Sequence, residues 1–393
     1  MIYTLGIVEG LGTENITETI FYNPISEDQR VLIISGEYDQ EVNGAGKLTF
    51  QIAYDNFRYD MFKAFTTQVV LYCDGDEYWR GRVISVSISY DLTKTIVCEG
   101  VLNYLLDTFV FPSSNYVEGE DVSIVSYFTD LINTHNTLVK ASGESDTWYK
   151  QFIVDESLED QWGSDTFKYV ADDSCPTTLD AILNSLIDQK SGYLYTEVYE
   201  TVINGRSVKT NKIYYQKILT SESNQWIAFD ENMLDFEQLT EDEEFWTVIV
   251  PFGKAVDDSR VNITTVNDGK YTIAHPDAAI YGYIYHPEFY DDIEDPYELK
   301  TAAQKTVDEH QNLEQSCTVR AVDMSLYRNA SPLRIGQTVK IFSKPHGLNM
   351  ESLRVSSVMI DLTNPSRSEF SFGKPDKTLS KEQSELMKQL KSS

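Results

Sequence analysis

Positive charge is scarce in this chain. Its 393 residues hold 32 Lys and Arg against 62 Asp and Glu, a formal net charge of −30. Proteins that hold nucleic acid neutralise its phosphates with Lys and Arg, so stable nucleic-acid binding is excluded; passage of DNA along a like-charged wall is not. Cysteine is scarce as well. Cys73, Cys98, Cys175 and Cys317 have no metal-like spacing and read as free thiols of a protein folded in the cytosol. No apolar run approaches the roughly 20 residues that cross a bilayer as a helix. Met1–Leu5 has no basic start and no long apolar stretch, so no secretory signal is expected.

Catalytic signatures are missing too. The sequence has no HExxH, GxSxG, P-loop or CxxC pair. His310 follows Glu309 without a second His four residues away to complete a zinc pair. Cys98 sits in an alternating stretch and reads as core. The acidic pairs Asp172-Asp173 and Asp291-Asp292 lack EF-hand spacing and read as solvated loops. Tyr281, Tyr283 and Tyr285 alternate as if on one strand face, a plain half-buried strand before a sugar platform. Asn15-Ile16-Thr17 and Asn262-Ile263-Thr264 match the glycosylation pattern, which has no force without a signal peptide. No catalytic, metal-binding or cofactor-binding residue is expected, and no cofactor.

What the chain has is apolar alternation and a repeat. Hydrophobic residues make up 41%, with 25 Tyr and 18 Phe, which favours packed strands. Val69–Tyr72, a turn at Asp74-Gly75 and the run Tyr78–Ile88 form one phrase; Thr338–Phe342, a turn at His346-Gly347 and Leu353–Ile360 form another. Each is a period-two strand, a Gly turn and a strand in which Arg precedes Val and Ser alternates with apolar residues. The pairing sets Arg82 against Arg354. It predicts that Val86 and Ile88 pack one core and Val358 and Ile360 the other. Arg80 and Arg82 are awkward beside a core unless a bulge turns them outward, so they are assigned to a polar interface between subunits or with a tube.

The expected fold is α+β, mostly β, and multidomain: two similar small β-barrel domains plus two additional α+β domains. Residues 1–111 form the first barrel, with a hairpin at Asn43-Gly44. Residues 112–225 form an α+β domain. Its helices run from Val122 to Asn136, capped by Asp121, and from Thr177 to Gly192, capped by Thr177. Residues 226–250 and 316–375 form the second barrel, with 251–315 inserted as an α+β domain whose helix opens at Asp295-Pro296. Residues 376–393 are a polar tail.

Four stretches, in order and spacing, resemble those of the phage baseplate hub or tail-associated family, also called prophage endopeptidase tail or phage minor structural proteins. They are Gly46–Phe50 with Tyr59–Phe62, Trp79–Val83 and Cys98–Asp107; His135-Asn136 with Leu183–Leu194; Ile249–Gly253 with Arg260–Gly269; and Gly336–Val339 with His346–Leu348, Asp361–Pro365 and Phe372-Gly373. The resemblance implies a homotrimer whose paired barrels form a quasi-six-fold ring at a virion tail tip. The ring would dock on a hexameric distal tail or tube protein, meet receptor-binding or tape-measure proteins, and meet DNA only in transit. It implies synthesis in the host cytoplasm. A phage-tail-like bacteriocin or contractile injection machine would use the same hub. A cell-wall peptidase of the tail tip and a carbohydrate-binding β-protein are the other readings. Lys377–Ser393 is too short for an enzymatic core, so no peptidoglycan hydrolysis is expected.

Overall fold

A computed structural model describes residues 2–11, 16–111, 116–140, 148–171, 174–203, 206–240, 245–256, 259–309, 315–327 and 330–373. His310, Asp172-Asp173, Asn15 and the tail lie outside these residues. The chain divides into two compact units, Met1–Phe236 with Val319–Ser393, and Glu237–Thr318.

The first unit begins with strands β1 (Tyr3–Glu9), β2 (Thr17–Tyr22), β3 (Ser35–Glu41), β4 (Lys47–Ile52), β5 (Gln68–Cys73), β6 (Asp76–Ile88) and β7 (Lys94–Gly100). Alternation does the work in β4: Leu48, Phe50 and Ile52 are fully buried while Lys47, Thr49 and Gln51 face outward. The expected turn joins β3 to β4, with Asn43 at a φ of 63°. Gly100 is dictated by close approach: a Cβ there would lie 1.7 Å from the Ala45 carbonyl oxygen. That closeness lets the Trp79 indole donate to the same oxygen at 2.9 Å.

An α+β part follows, with β8 (Asp121–Ser123), α1 (Ile124–Lys140), β9 (Phe152–Val154), α2 (Ser157–Trp162), β10 (Thr166–Lys168), α3 (Thr178–Ile182), a π-helical turn (Leu183–Ile187), α4 (Asp188–Lys190), β11 (Tyr193–Ile203) and β12 (Arg206–Gln216). Thr177 caps α3 as expected, its hydroxyl accepting the Asp180 amide at 3.1 Å. Asp121 does not cap α1. It lies in β8, and Ser123 takes the role by accepting the Ser126 amide at 3.3 Å. The apolar stripe of α1 packs on Phe167, Tyr215 and the π turn around Leu186.

The second β-domain contains β13 (Glu222–Ala228) and β14 (Met233–Thr240). The other unit supplies β15 (Val248–Phe252), β16 (Ala255–Val256), β17 (Ser259–Arg260), β18 (Ile273–Ala274), α5 (Ala278–Tyr281), β19 (Tyr285–Phe289) and α6 (Pro296–Glu309). The second β-domain then resumes with β20 (Gln315–Ala321), β21 (Thr338–Ser343), β22 (Leu348–Asp361) and β23 (Glu369–Gly373). The sequence put residues up to 250 in the second barrel. Instead Val248–Phe252 is the central strand of the other unit, antiparallel to β18 and parallel to β19. A strand covered on both faces reads as a continuous apolar run and so passes for any core strand. Tyr281, Tyr283 and Tyr285 do not share a strand, since Tyr281 ends α5. Asp295 caps α6, accepting the Tyr297 amide at 2.9 Å, and Leu299, Ala303 and Val307 pack on Trp246, Ile249 and Ile273.

In the first unit one sheet of 13 strands serves both β-domains. Its order is β14-β20-β23-β22-β3-β4-β7-β6-β5-β1-β2, with β21 on β22 and β13 on β21. The order contains the repeat: β20-β23-β22-β21 matches β4-β7-β6-β5, and β14 stands where β3 stands; β13 takes the place of β1 but runs parallel to β21, where β1 is antiparallel to β5. Both long strands bulge at the same place, between Val83 and Ser85 and between Val355 and Ser357. Val83 donates to Thr67 O at 2.9 Å and accepts from Phe65 at 2.7 Å; Val355 donates to Gln337 O and accepts from Gly336, each at 2.9 Å. Phe65 and Gly336 both have positive φ, 63° and 80°. The fold is thus mostly β and multidomain with additional α+β parts, as expected.

Val358 and Ile360 are buried at 2% and 0% exposure, but Ile88 is 58% exposed and Val86 only partly buried. The expectation for Ile88 is therefore corrected. Ile360 lies opposite Tyr38 of β3, and no described strand covers the matching side of β6. Ile360→Ala should cost about 2–5 kcal/mol, whereas Ile88→Ala in the isolated chain should stay within about 0.5 kcal/mol. Urea unfolding of the two variants checks this contrast.

Candidate assembly surface

The local chemistry of β6 places its arginines. Trp79, Gly81 and Val83 face the core, so Arg80 and Arg82 point to the opposite face. Both are nevertheless buried, by partners from the same chain. Arg80 holds Glu77 with two bonds of 2.8 and 2.9 Å and reaches Glu18 at 3.4 Å, while Lys209 of β12 meets Glu77 at 3.2 Å. Arg82 binds Glu99 at 2.8 Å and grips both Asp107 oxygens at 2.5 and 2.8 Å. Its guanidinium lies 4.9 Å from the Tyr104 ring centre, and the Tyr104 hydroxyl accepts from Gln68 at 2.7 Å. Tyr104 and Asp107 belong to the 3-10 helix Val101–Asp107 that leads into the α+β part. Both arginines, assigned from the sequence to a subunit or tube interface, are thus buried within the single chain by carboxylates of the first β-domain, with Lys209 of the α+β part sharing Glu77.

Burial works against the Arg82 charge, but the bonds to Asp107 and Glu99 outweigh it and hold the guanidinium above its usual range. Glu77 behaves in the same way: burial raises its pKa, yet Arg80 and Lys209 win and lower it overall.

The register places one continuous polar face on the sheet. Across it, Arg320 aligns with Ser371, Ser357 and Glu41; Glu369 with Met359, Asp39, Lys47, Glu99 and Arg82; and Asp361 with Glu37 and Thr49. Acids outnumber bases on this face. Asp39 shows the consequence, since burial and then Glu37 raise its carboxyl pKa.

Among the described residues, the open edges of the sheet include one on β6 and one on β14, besides those of β2 and β13. Ser357–Asp361 of β22 pairs with Glu37–Glu41 of β3. The matching Ile84–Ile88 of β6 pairs only with β7, leaving its other edge open, and β14 is the end of the sheet. Beside β14 lies a groove of about 210 Å³ lined by Phe229, Met233, Leu234, Asp235, Phe236 and His346. The His346 ring stacks on Phe236 at 4.2 Å, and its Nδ1 lies 2.6 Å from the Ser343 hydroxyl.

The titratable groups suggested by sequence are structural. Cys98 is fully buried, and burial pushes its thiol far up; that of Cys73 is pushed up to about 11. His135 is buried, bonded to Thr108 Oγ1 at 2.7 Å and Lys150 O at 2.9 Å, with its pKa lowered by burial. Asp291 pairs with Arg260. Among the described residues no three His, Cys, Asp or Glu converge as a metal site.

Residues 221–383 match the prophage endopeptidase tail family. The chain has the fold of phage tail proteins. It covers 96% of its own length and 99% of the 43 kDa tail protein of prophage MuSo2 from Shewanella oneidensis, at 12% identity and a TM-score of 0.53. Against a tail protein from Neisseria meningitidis MC58 the figures are 95% and 97%, 11% and 0.51. Against prophage tail protein gp18 from Listeria monocytogenes EGD-e they are 99% and 99%, 14% and 0.50. No curated protein matches the chain. The resemblance to the tail-associated family holds. The open edges were missed in the sequence, although the unequal turns of the two repeats, Asp91-Leu92 against Asn364-Pro365, were visible.

Replacing Arg82 by Leu should destabilise the chain by about 3 kcal/mol, because Asp107 and Glu99 lose their shared cation. The Glu77 contribution is fully present above its ordinary pKa of 4.5 and is lost as pH falls through the lower folded value. Urea midpoints from pH 7 to pH 3 should therefore fall less steeply in Glu77→Gln than in the parent chain.

Proposed function

We propose that the chain is a non-enzymatic structural hub of a phage tail tip that works as a homotrimer. The open edges carry the reading. Inside one chain, β22 of the second β-domain pairs with β3 of the first. The same step between chains would pair the Ile84–Ile88 edge of β6 with β14 of the next copy. Such a head-to-tail contact either closes a ring or runs on as a filament. Three chains close a ring of six β-domains, which matches a hexameric tail tube or distal tail protein. Receptor-binding and tape-measure proteins would then meet the ring from its other surfaces.

The polar face would line the passage. Its excess of acids repels a polyanion, so DNA crosses without being held. The buried thiols of Cys73 and Cys98 and the buried, bonded His135 support a role without hydrolysis, despite the family's endopeptidase name.

Light scattering with the tail partner present should give the mass of three chains, and a stable monomer at micromolar concentration in that mixture rejects the trimer. Zymography on host cell walls should show no clearing. In a low-salt gel shift the assembled ring should leave duplex DNA unretarded; retardation rejects the acidic passage.

A further inference from the structure

The turn between β6 and β7 carries Tyr90, whose 106% relative exposure places its ring wholly outside the fold. Ile88 and Leu92 flank it at 58% and 48%. The turn is nevertheless closed by its own hydrogen bonds. Ser89 N donates to Thr93 O at 2.9 Å, Leu92 N to Ser89 O at 3.0 Å, and Thr93 N to Asp91 Oδ1 at 3.1 Å. The Tyr59 hydroxyl holds Leu92 O at 2.8 Å. A closed turn that presents an aromatic ring loses little conformational freedom when that ring docks.

The repeat shows what such a residue does when its partner is in place. Counting from the shared bulge, Val86, Ile88 and Tyr90 correspond to Val358, Ile360 and Leu362. Leu362 is 1% exposed. Its amide donates to Gly36 O at 2.9 Å at the start of β3, and its side chain packs with Ile33 over the bare Gly36. The start of β14 stands in the place of the start of β3. There, Phe229 lies just ahead of the strand, as Ile33 lies ahead of β3, and a groove of mixed polar and apolar lining opens instead of a filled contact. Phe229 and Leu234 are 50% and 54% exposed on its rim.

We propose that Tyr90 of one chain seats in the groove of Phe229, Met233, Leu234, Phe236 and His346 on a second copy, the place that corresponds to the seat of Leu362 within the chain. This rests on the ring reading above and adds the residue that anchors each junction. The side chains of Phe229, Met233 and Leu234 offer the ring apolar contact, and the polar wall beside Asp235 and His346 keeps the phenol hydroxyl solvated, which fits an amphipathic Tyr better than Leu.

The test uses the full chain carrying Tyr90→Cys and Leu234→Cys together in a Cys175→Ser background, with each single variant as control. Mild oxidation should give dimer- and trimer-sized bands from the double variant alone. Tyr90→Ser should weaken self-association by about tenfold or more, the scale for losing a buried interface aromatic, with the thermal unfolding of the dilute chain unchanged. If the parent chain assembles but the cysteines stay apart or close within one chain, the seat is wrong and the ring reading survives. If the parent chain stays monomeric even with its tail partner, the ring reading falls and the seat with it. If Tyr90→Ser spares self-association and abolishes binding of the tube protein, the turn belongs to the tube contact and the proposal is overturned.

Discussion

The ladder between β22 and β3 is the contact on which the rest of the first unit depends. It joins Ser357–Asp361 to Glu37–Glu41 by main-chain bonds and turns two β-domains into one sheet. Its register is fixed by side chains. A slip of one residue would carry Val358 and Ile360 to the polar face and bring Met359 and Asp361 into the core. The shared core then follows. Tyr38 and Ile360 are both fully buried, and the Tyr22 hydroxyl crosses between domains to donate to Leu362 O at 2.8 Å.

A contact that works once within a chain and is built from a repeat leaves the repeat unfinished at both ends. Soluble proteins usually blunt open strand edges with Lys, Pro or a covering loop. Ile84–Ile88 has no Lys or Pro: its residues are Ile, Ser, Val, Ser and Ile. The bulge after Val83 also sets which main-chain groups face outward there, as the matching bulge does where β22 meets β3. An edge of that composition in a monomer is an aggregation hazard. In a closing assembly it is a template for the next strand.

How much of this was legible in the sequence depended on how local the cause was. The strands, the Asn43-Gly44 turn, the Thr177 cap and the Asp295 cap follow from neighbouring residues and were readable. The repeat was readable too, including the pairing of Arg82 with Arg354. The limit of the inserted unit was not, because Val248–Val250 has the same apolar run whichever sheet receives it. Ile88 failed for a deeper reason. Its pattern is that of Ile360, and burial depends on a strand lying across it, which periodicity does not report. The partners of Arg80 and Arg82 were likewise hidden, since Glu18, Glu99 and Asp107 approach from outside β6.

The acidic composition limits how copies of this chain can meet. At a net charge of −30, like surfaces repel over roughly the 8 Å reach left by physiological salt. The best-placed cations are already committed: Arg82 to Glu99 and Asp107, Arg80 to Glu77, and Arg320 to Asp235 and Glu369. A junction drawing on Arg80 or Arg82 would have to break these pairs and leave largely buried carboxylates alone, which costs more than a surface pair returns. Main-chain bonds along an open edge and an aromatic ring in the groove beside β14 need no such exchange. The surplus of acids is then free to lie on the polar face of the sheet, where Asp39 already sits among Glu37 and Glu41.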